Sequence, residues 1–151
     1  MAAQIDGDFV VFLIGMRINH LHKPWQWLPV AAAMGRMLPE LMREPGLGLL
    51  HARNQFGLRN ISLIQYWRSF DHLHAYAHAA ARQHRPAWTA FTRAAQAGSD
   101  VGIWHETYLI AAGQYETVYD NMPPWGLGRA GTLVPARGRR NSAKGRLGQD
   151  G

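Results

Sequence analysis

The order of apolar patterns along the 151 residues predicts an α+β domain with the βαββαβ arrangement of a ferredoxin-like fold, an antiparallel sheet with two helices on one face. Three observations carry this prediction. A strand-like run opens the chain at Phe9, a helical stripe is followed by two runs that read as a hairpin, and a second helical segment leads into a last strand near Val101.

Phe9–Asn19 is dense in β-branched and aromatic residues and has the length of one strand. Its even positions, Val10, Phe12, Ile14, Met16 and Ile18, are all apolar, whereas the odd set turns polar at Arg17 and Asn19. Alternation therefore commits one face to packing and opens the other toward something polar. Pro24–Glu44 reads as a helix, with Val30, Met34, Met37 and Leu41 on one stripe. Pro29 suits a first turn, Pro39 predicts a kink or break, and Pro45-Gly46 ends the element.

Leu47–Phe56 and Asn60–Trp67 read as a hairpin joined by Gly57-Leu58-Arg59. Ser69 is placed to cap a helix reaching about Arg82, with Leu73, Tyr76, Ala77 and Ala80 inward. Pro86 restarts a short helix with Trp88, Phe91 and Ala95 on one face. Gly98-Ser99-Asp100 breaks the pattern before a strand at Val101–Ala111, and Gln114–Tyr119 is expected to add another. Helices on one sheet face leave the other to be covered, and no internal repeat is present to cover it. A second copy is therefore expected, giving a homodimer whose two sheets enclose a cavity.

Sixteen Lys and Arg face ten Asp and Glu, but the excess lies at the end of the chain. From Gly126 onward Arg129, Arg137, Arg139, Arg140, Lys144 and Arg146 stand against Asp150 alone, so the body is nearly neutral and argues against nucleic acid as a partner. Residues 1–125 are expected to form the barrel domain, and the basic, glycine-rich residues 126–151 a disordered tail. The absence of cysteine excludes disulfides, thiolate metal sites and a cysteine nucleophile. No apolar run approaches the ~20 residues of a membrane-spanning helix. The reading is a soluble cytoplasmic protein.

Among eight histidines, His20 and His22 supply two potential ligands, and Asp71, His74 and His78 share a helix face. Two ligands are not a site, and alternating alanines mark a solvated side, so no metal is expected. His84 sits where the second helix is interrupted, as a haem axial ligand or as a helix-end cap. The last strand is the densest in chemistry. Trp104, Glu106 and Tyr108 share one face, and Ile103, His105, Thr107 and Leu109 the other. A carboxylate and a phenol two residues apart lie within ~7 Å and can shuttle a proton if burial raises the carboxyl pKa. His105 is the alternative base, and the sequence leaves open which face looks into the cavity. Tyr115, Tyr119 and Asn121, with Trp67 and Trp104, are candidates to line a pocket for a conjugated ligand, or else core aromatics.

Phe12-Leu-Ile-Gly-Met-Arg17, Gln65-Tyr-Trp-Arg-Ser69, His84-Arg-Pro-Ala-Trp88, Gly102-Ile-Trp-His-Glu-Thr-Tyr108 and Tyr115-Glu-Thr-Val-Tyr119 with Asn121-Met-Pro123 resemble a small bacterial and fungal family. It is the family grouped with the fumagillin-pathway monooxygenase, formerly a domain of unknown function, and the resemblance spans about Asp8 to Pro135. It implies a dimeric α/β barrel related to the antibiotic-biosynthesis monooxygenases, which oxidise polycyclic or polyketide-like substrates, several without metal or flavin. Similar barrels bind haem through a histidine of the second helix, with an Asn and a Trp beside the porphyrin. His84, Asn19 and Trp67 occupy comparable elements.

The functional expectation is a monooxygenase acting on an apolar, polyketide-like or aromatic small molecule with O2. Glu106 or His105 would remove a proton, and Arg17, Asn19, Tyr108 or Tyr115 would stabilise the oxyanion. Asn19, Trp67, Trp104, Tyr115, Tyr119 and Asn121 would contact substrate, with no cofactor or with haem on His84. The alternatives are a haem-dependent oxygenase or an aldoxime-dehydratase-like lyase, and a non-enzymatic small-molecule binding module.

Overall fold

The computed structural model describes residues 1–44, 46–82, 89, 93, 96, 98 and 100–149. Strand β1 spans Ala2–Gln4, β2 Phe9–Ile18, β3 Leu49–Phe56, β4 Asn60–Trp67, β5 Val101–Ile110 and β6 Thr132–Val134; helix α1 spans Pro24–Met42 and α2 Phe70–Arg82. The four central strands form one sheet in the order β3-β4-β2-β5, with every pairing antiparallel. Together with the βαββαβ element order, this is the expected ferredoxin-like topology.

β2 lies between β4 and β5, which is why its even positions are so uniformly apolar. Val10, Phe12, Ile14, Met16 and Ile18 are all buried. They meet Val30, Met34, Met37 and Leu41 of α1 and Leu73 and Tyr76 of α2 in one core, so both helices cover the same sheet face. Ser69 caps α2 as expected, its hydroxyl accepting from the His72 backbone N–H at 3.3 Å.

Helix α1 corrects one expectation. It passes through both Pro29 and Pro39 without a break. An interior proline costs about 3 kcal/mol, whereas burying one Met or Leu side chain contributes ~1.5–3 kcal/mol. Met34, Met37 and Leu41 are each at most 1% exposed, so packing on both sides of Pro39 outweighs its penalty. The short helix expected after Pro86 lies outside the described residues, apart from isolated helical positions at Thr89, Arg93 and Gln96.

The two ends of the chain differ most from the sequence reading. Gln114–Tyr119 is not a strand; it runs beside the N-terminus, tied by the Met1 and Tyr119 backbones at 2.8 Å. β1, which has no periodicity long enough to see, pairs with β6 in register Ala2↔Val134 to Gln4↔Thr132. Leu127 is buried with Ala3, Ile5 and Phe9, and Leu133 packs against them. The boundary expected at 125 falls just ahead of the buried Leu127. Residues 127–134 belong to the body, and beyond them Arg146 Nε bonds Glu116 Oε2 at 2.7 Å. The signal was weak because two isolated leucines among glycines and arginines carry no period.

These ends also modify the expectation that only a second copy can cover the helix-free sheet face. The terminal layer packs against Phe9, Val11, Leu50, Tyr66 and Ile110, covering one end of that face with the chain's own residues. Among the described residues, no helix is long and apolar enough to cross a membrane.

Candidate active site

Register decides which face each β5 side chain joins. His105 pairs with Ile14 and Thr107 with Phe12, which places them on the helix side. Trp104 pairs with Gly15, Glu106 with Leu13 and Tyr108 with Val11, on the helix-free side with Arg17. The two candidate bases are thus separated by the sheet. His105 has its ring 5.9 Å from Phe12, while Glu106 shares its face with Tyr108, Trp104 and Arg17.

The Tyr108 hydroxyl donates to Glu106 Oε2 at 2.6 Å. That hydrogen bond, and then the carboxylate charge, raises the phenol pKa above its ordinary value. Trp104 lies flat over Gly15, where a Cβ would come within 2.6 Å of the indole. The missing side chain in the middle of β2 makes room for an aromatic wall beside the Glu106–Tyr108 pair. β5 is an edge strand of this sheet, and Glu106 and Tyr108 are exposed in the single chain. Any burial of this pair must therefore come from a covering surface.

The remaining candidates separate into other roles. Trp67 is fully buried on the helix side, its Nε1–H donating to Gln65 Oε1 at 2.7 Å, and its ring lies 5.4 Å from Tyr76. It is a core residue rather than a pocket wall beside Trp104. Tyr115 is a fastener: its hydroxyl accepts from the Ile5 N–H at 2.6 Å and donates to the Ile5 carbonyl at 3.1 Å. Tyr119 accepts from the Gly128 N–H at 2.9 Å. Asn19 follows the last residue of β2, its N–H bonded to the Asp100 carbonyl at 3.0 Å. Asn121 is exposed and adopts a left-handed backbone, φ 50°.

His84 lies outside the described residues. The other two haem candidates do not fit a porphyrin, because Trp67 presents no free ring face and Asn19 stands at the far end of β2 from Val10, the partner of Trp67. Among the described residues, no group of three or more His, Asp or Glu side chains can hold a metal ion. His20 Nδ1 instead stands 2.8 Å from Asp100 Oδ1, and Lys23 bonds the same oxygen at 2.9 Å; the lysine, foremost, keeps that carboxyl below the usual range.

Sequence reasoning passed over the other edge of the same face. His51 and Arg53 alternate on β3 and stand beside Tyr66 and Ile64 of β4. A His-x-Arg alternation on a strand was the available signal, hidden because Leu49 and Leu50 enter a bulge just before it.

The fold and this face define a ferredoxin-like α+β domain that carries a hydrogen-bonded carboxylate–phenol pair next to an aromatic wall. The model of the Monooxygenase af470-like family matches residues 9–127, from the start of β2 to the buried Leu127, and the chain belongs to that family. Monooxygenase af470 from Aspergillus fumigatus is 31% identical over 139 residues, covering 87% of this chain and 49% of that protein. The chain thus spans about half the length of this curated relative. Among solved structures, the chain is similar to SnoaB, a cofactor-independent oxygenase from Streptomyces nogalater, with a TM-score of 0.43 and 14% identity over 77% of this chain and 98% of that one. A mutant form of the same oxygenase gives a TM-score of 0.41 and 15% identity over 69% and 92% of the two chains.

Proposed function

We propose that the chain works as a cytoplasmic homodimer and is a monooxygenase that oxidises an apolar, conjugated small molecule with O2, on the helix-free face of the sheet. The observation that carries this reading is the 2.6 Å Tyr108–Glu106 hydrogen bond beside Trp104 and on the face of Arg17. Membership of the Monooxygenase af470-like family supports the reaction class. The open face supports the dimer: a second copy laid over it would enclose Glu106 and Tyr108 away from bulk water.

In this reading Glu106 removes a proton from an acidic CH2 flanked by conjugated carbonyl or aryl groups. The Tyr108 hydroxyl, next to Glu106, holds the charge that spreads onto the substrate oxygen. The carbanion reduces O2 and forms a C–O bond. The resulting hydroperoxide loses water, so CH2 and O2 become C=O and H2O, with four electrons passing from carbon to oxygen. Trp104 stacks on the ring system and excludes water from it.

The test is oxygen uptake with conjugated ketones that carry an acidic CH2. Glu106→Gln is expected to lower the rate by about 10²–10⁴-fold, and Tyr108→Phe by a smaller factor, while His105→Ala stays within about twofold. Uptake indifferent to Glu106→Gln removes this site assignment. A single-chain sedimentation profile at micromolar concentration removes the enclosed cavity.

A further inference from the structure

At the β3 edge of the helix-free face, cationic and aromatic groups converge. The Arg53 guanidinium carbon lies 4.9 Å from the centre of the Trp125 ring. His51 and Tyr66 stack nearly parallel, 16° apart with centroids at 6.3 Å. Gly126, with φ 51°, brings the following turn down so closely that a Cβ there would lie 2.9 Å from the Tyr66 hydroxyl and 3.9 Å from Arg53 Nε. The same turn carries Arg129.

Two features of this cluster are unexplained by folding alone. The Arg53 side chain shares a hydrogen bond with Tyr66, yet its buried Nε has no hydrogen-bond partner. A buried guanidinium donor without an acceptor is costly unless a ligand completes it. Among the described residues, neither Arg53 nor Arg129 forms an ion pair with a carboxylate. His51 is held below its ordinary pKa by burial first and by Arg129 and Arg53 next, which places both arginines close enough to act on the imidazole.

We propose that Arg53, Arg129, His51, Tyr66 and Trp125 form a binding site for a planar aromatic carboxylate. The carboxylate lies between the two guanidiniums, Arg53 Nε donating to one oxygen, and the ring rests against the indole of Trp125. Arginine suits this task because its planar fork matches a carboxylate and its face stacks on aromatic rings. Neutral His51 supplies one further N–H. This site does not rest on the oxidation chemistry assigned to Glu106.

The probes are 2-naphthoate and its neutral isostere 2-naphthamide, titrated by calorimetry into the full chain. The naphthoate is expected to bind at least tenfold more tightly than the amide. Arg129→Gln, at an exposed position, and Arg53→Gln should each weaken naphthoate about tenfold and leave the amide within twofold. Arg53→Lys should fall between wild type and Arg53→Gln, and urea midpoints check that each variant is folded. Equal affinity for the two probes overturns the site, as does naphthoate binding that survives Arg129→Gln unchanged. Naphthoate binding without any oxygen uptake leaves this site standing while counting against the oxygenase reading.

Discussion

Trp104 occupies the space that any side chain on Gly15 would need, its indole within 2.6 Å of where a Cβ would stand. The two residues are directly cross-strand partners on β5 and β2. Glycine is normally a poor choice in a central strand, because it packs nothing and loses the most backbone freedom on folding. Here its value lies in the room it leaves for the aromatic wall.

Gly15→Ala is therefore expected to push the indole off the sheet and cost roughly 1–3 kcal/mol, the usual range for overpacking. Urea denaturation measures the cost, and tryptophan fluorescence reports the displaced ring. A variant with unchanged midpoint and emission would show that Trp104 can move aside freely.

Gln65 is buried at 1% exposure, and its amide oxygen accepts the Trp67 indole N–H. Gln65→Leu leaves that donor without an acceptor inside the core and should destabilise the chain by about 1–3 kcal/mol. Pairing it with Trp67→Phe removes the orphaned donor as well. The double variant is expected to lose less than the sum of the singles, and strict additivity would contradict the coupling.

The terminal layer should behave as one cooperative clasp. Leu127 is 8% exposed against Ala3, Ile5 and Phe9, so Leu127→Ala is expected to cost ~2–3 kcal/mol and to open the chain to proteolysis after Trp125. Tyr115→Phe removes both bonds to Ile5 and should cost about 1–2 kcal/mol. Limited proteolysis that starts beyond Gly126 equally fast in wild type and Leu127→Ala would mean that the clasp does not hold.

His51 ties stability to pH. Burial, and then Arg129 and Arg53, lower its pKa from the ordinary 6.5, and Glu44 borders the same small cavity beside it. Below pH 6.5 the unfolded chain takes up a proton that the folded chain resists, so stability falls as pH drops from 6.5 toward the folded pKa. His51→Gln should flatten that part of the stability profile in urea titrations between pH 5 and 8 (the span in which histidine changes charge). An identical slope in the variant would assign the effect to other groups.

The main elements were legible because each has a period of its own. Val10 to Ile18 alternates, Val30 to Leu41 follows the helical repeat, and Gly57-Leu58-Arg59 marks a short reversal. The Tyr108–Glu106 pair could be anticipated for the same reason, since residues two apart on any strand share a face. His51 and Arg53 were not, because a bulge precedes them and the residues that complete their cluster come from Trp125 and Arg129, far along the chain.

The sequence alone determined the α+β topology, the helical and strand stripes that build the core, and the grouping of Trp104 with Glu106 and Tyr108. Only the tertiary structure decided that this group faces away from the helices, that Trp67 is locked in the core, and that the chain's two ends close over part of the sheet. The reason is physical. Periodicity is a local property of neighbouring residues, whereas register, side-of-sheet and clasping contacts such as Ala3 with Leu127 arise between segments whose sequences carry no record of each other.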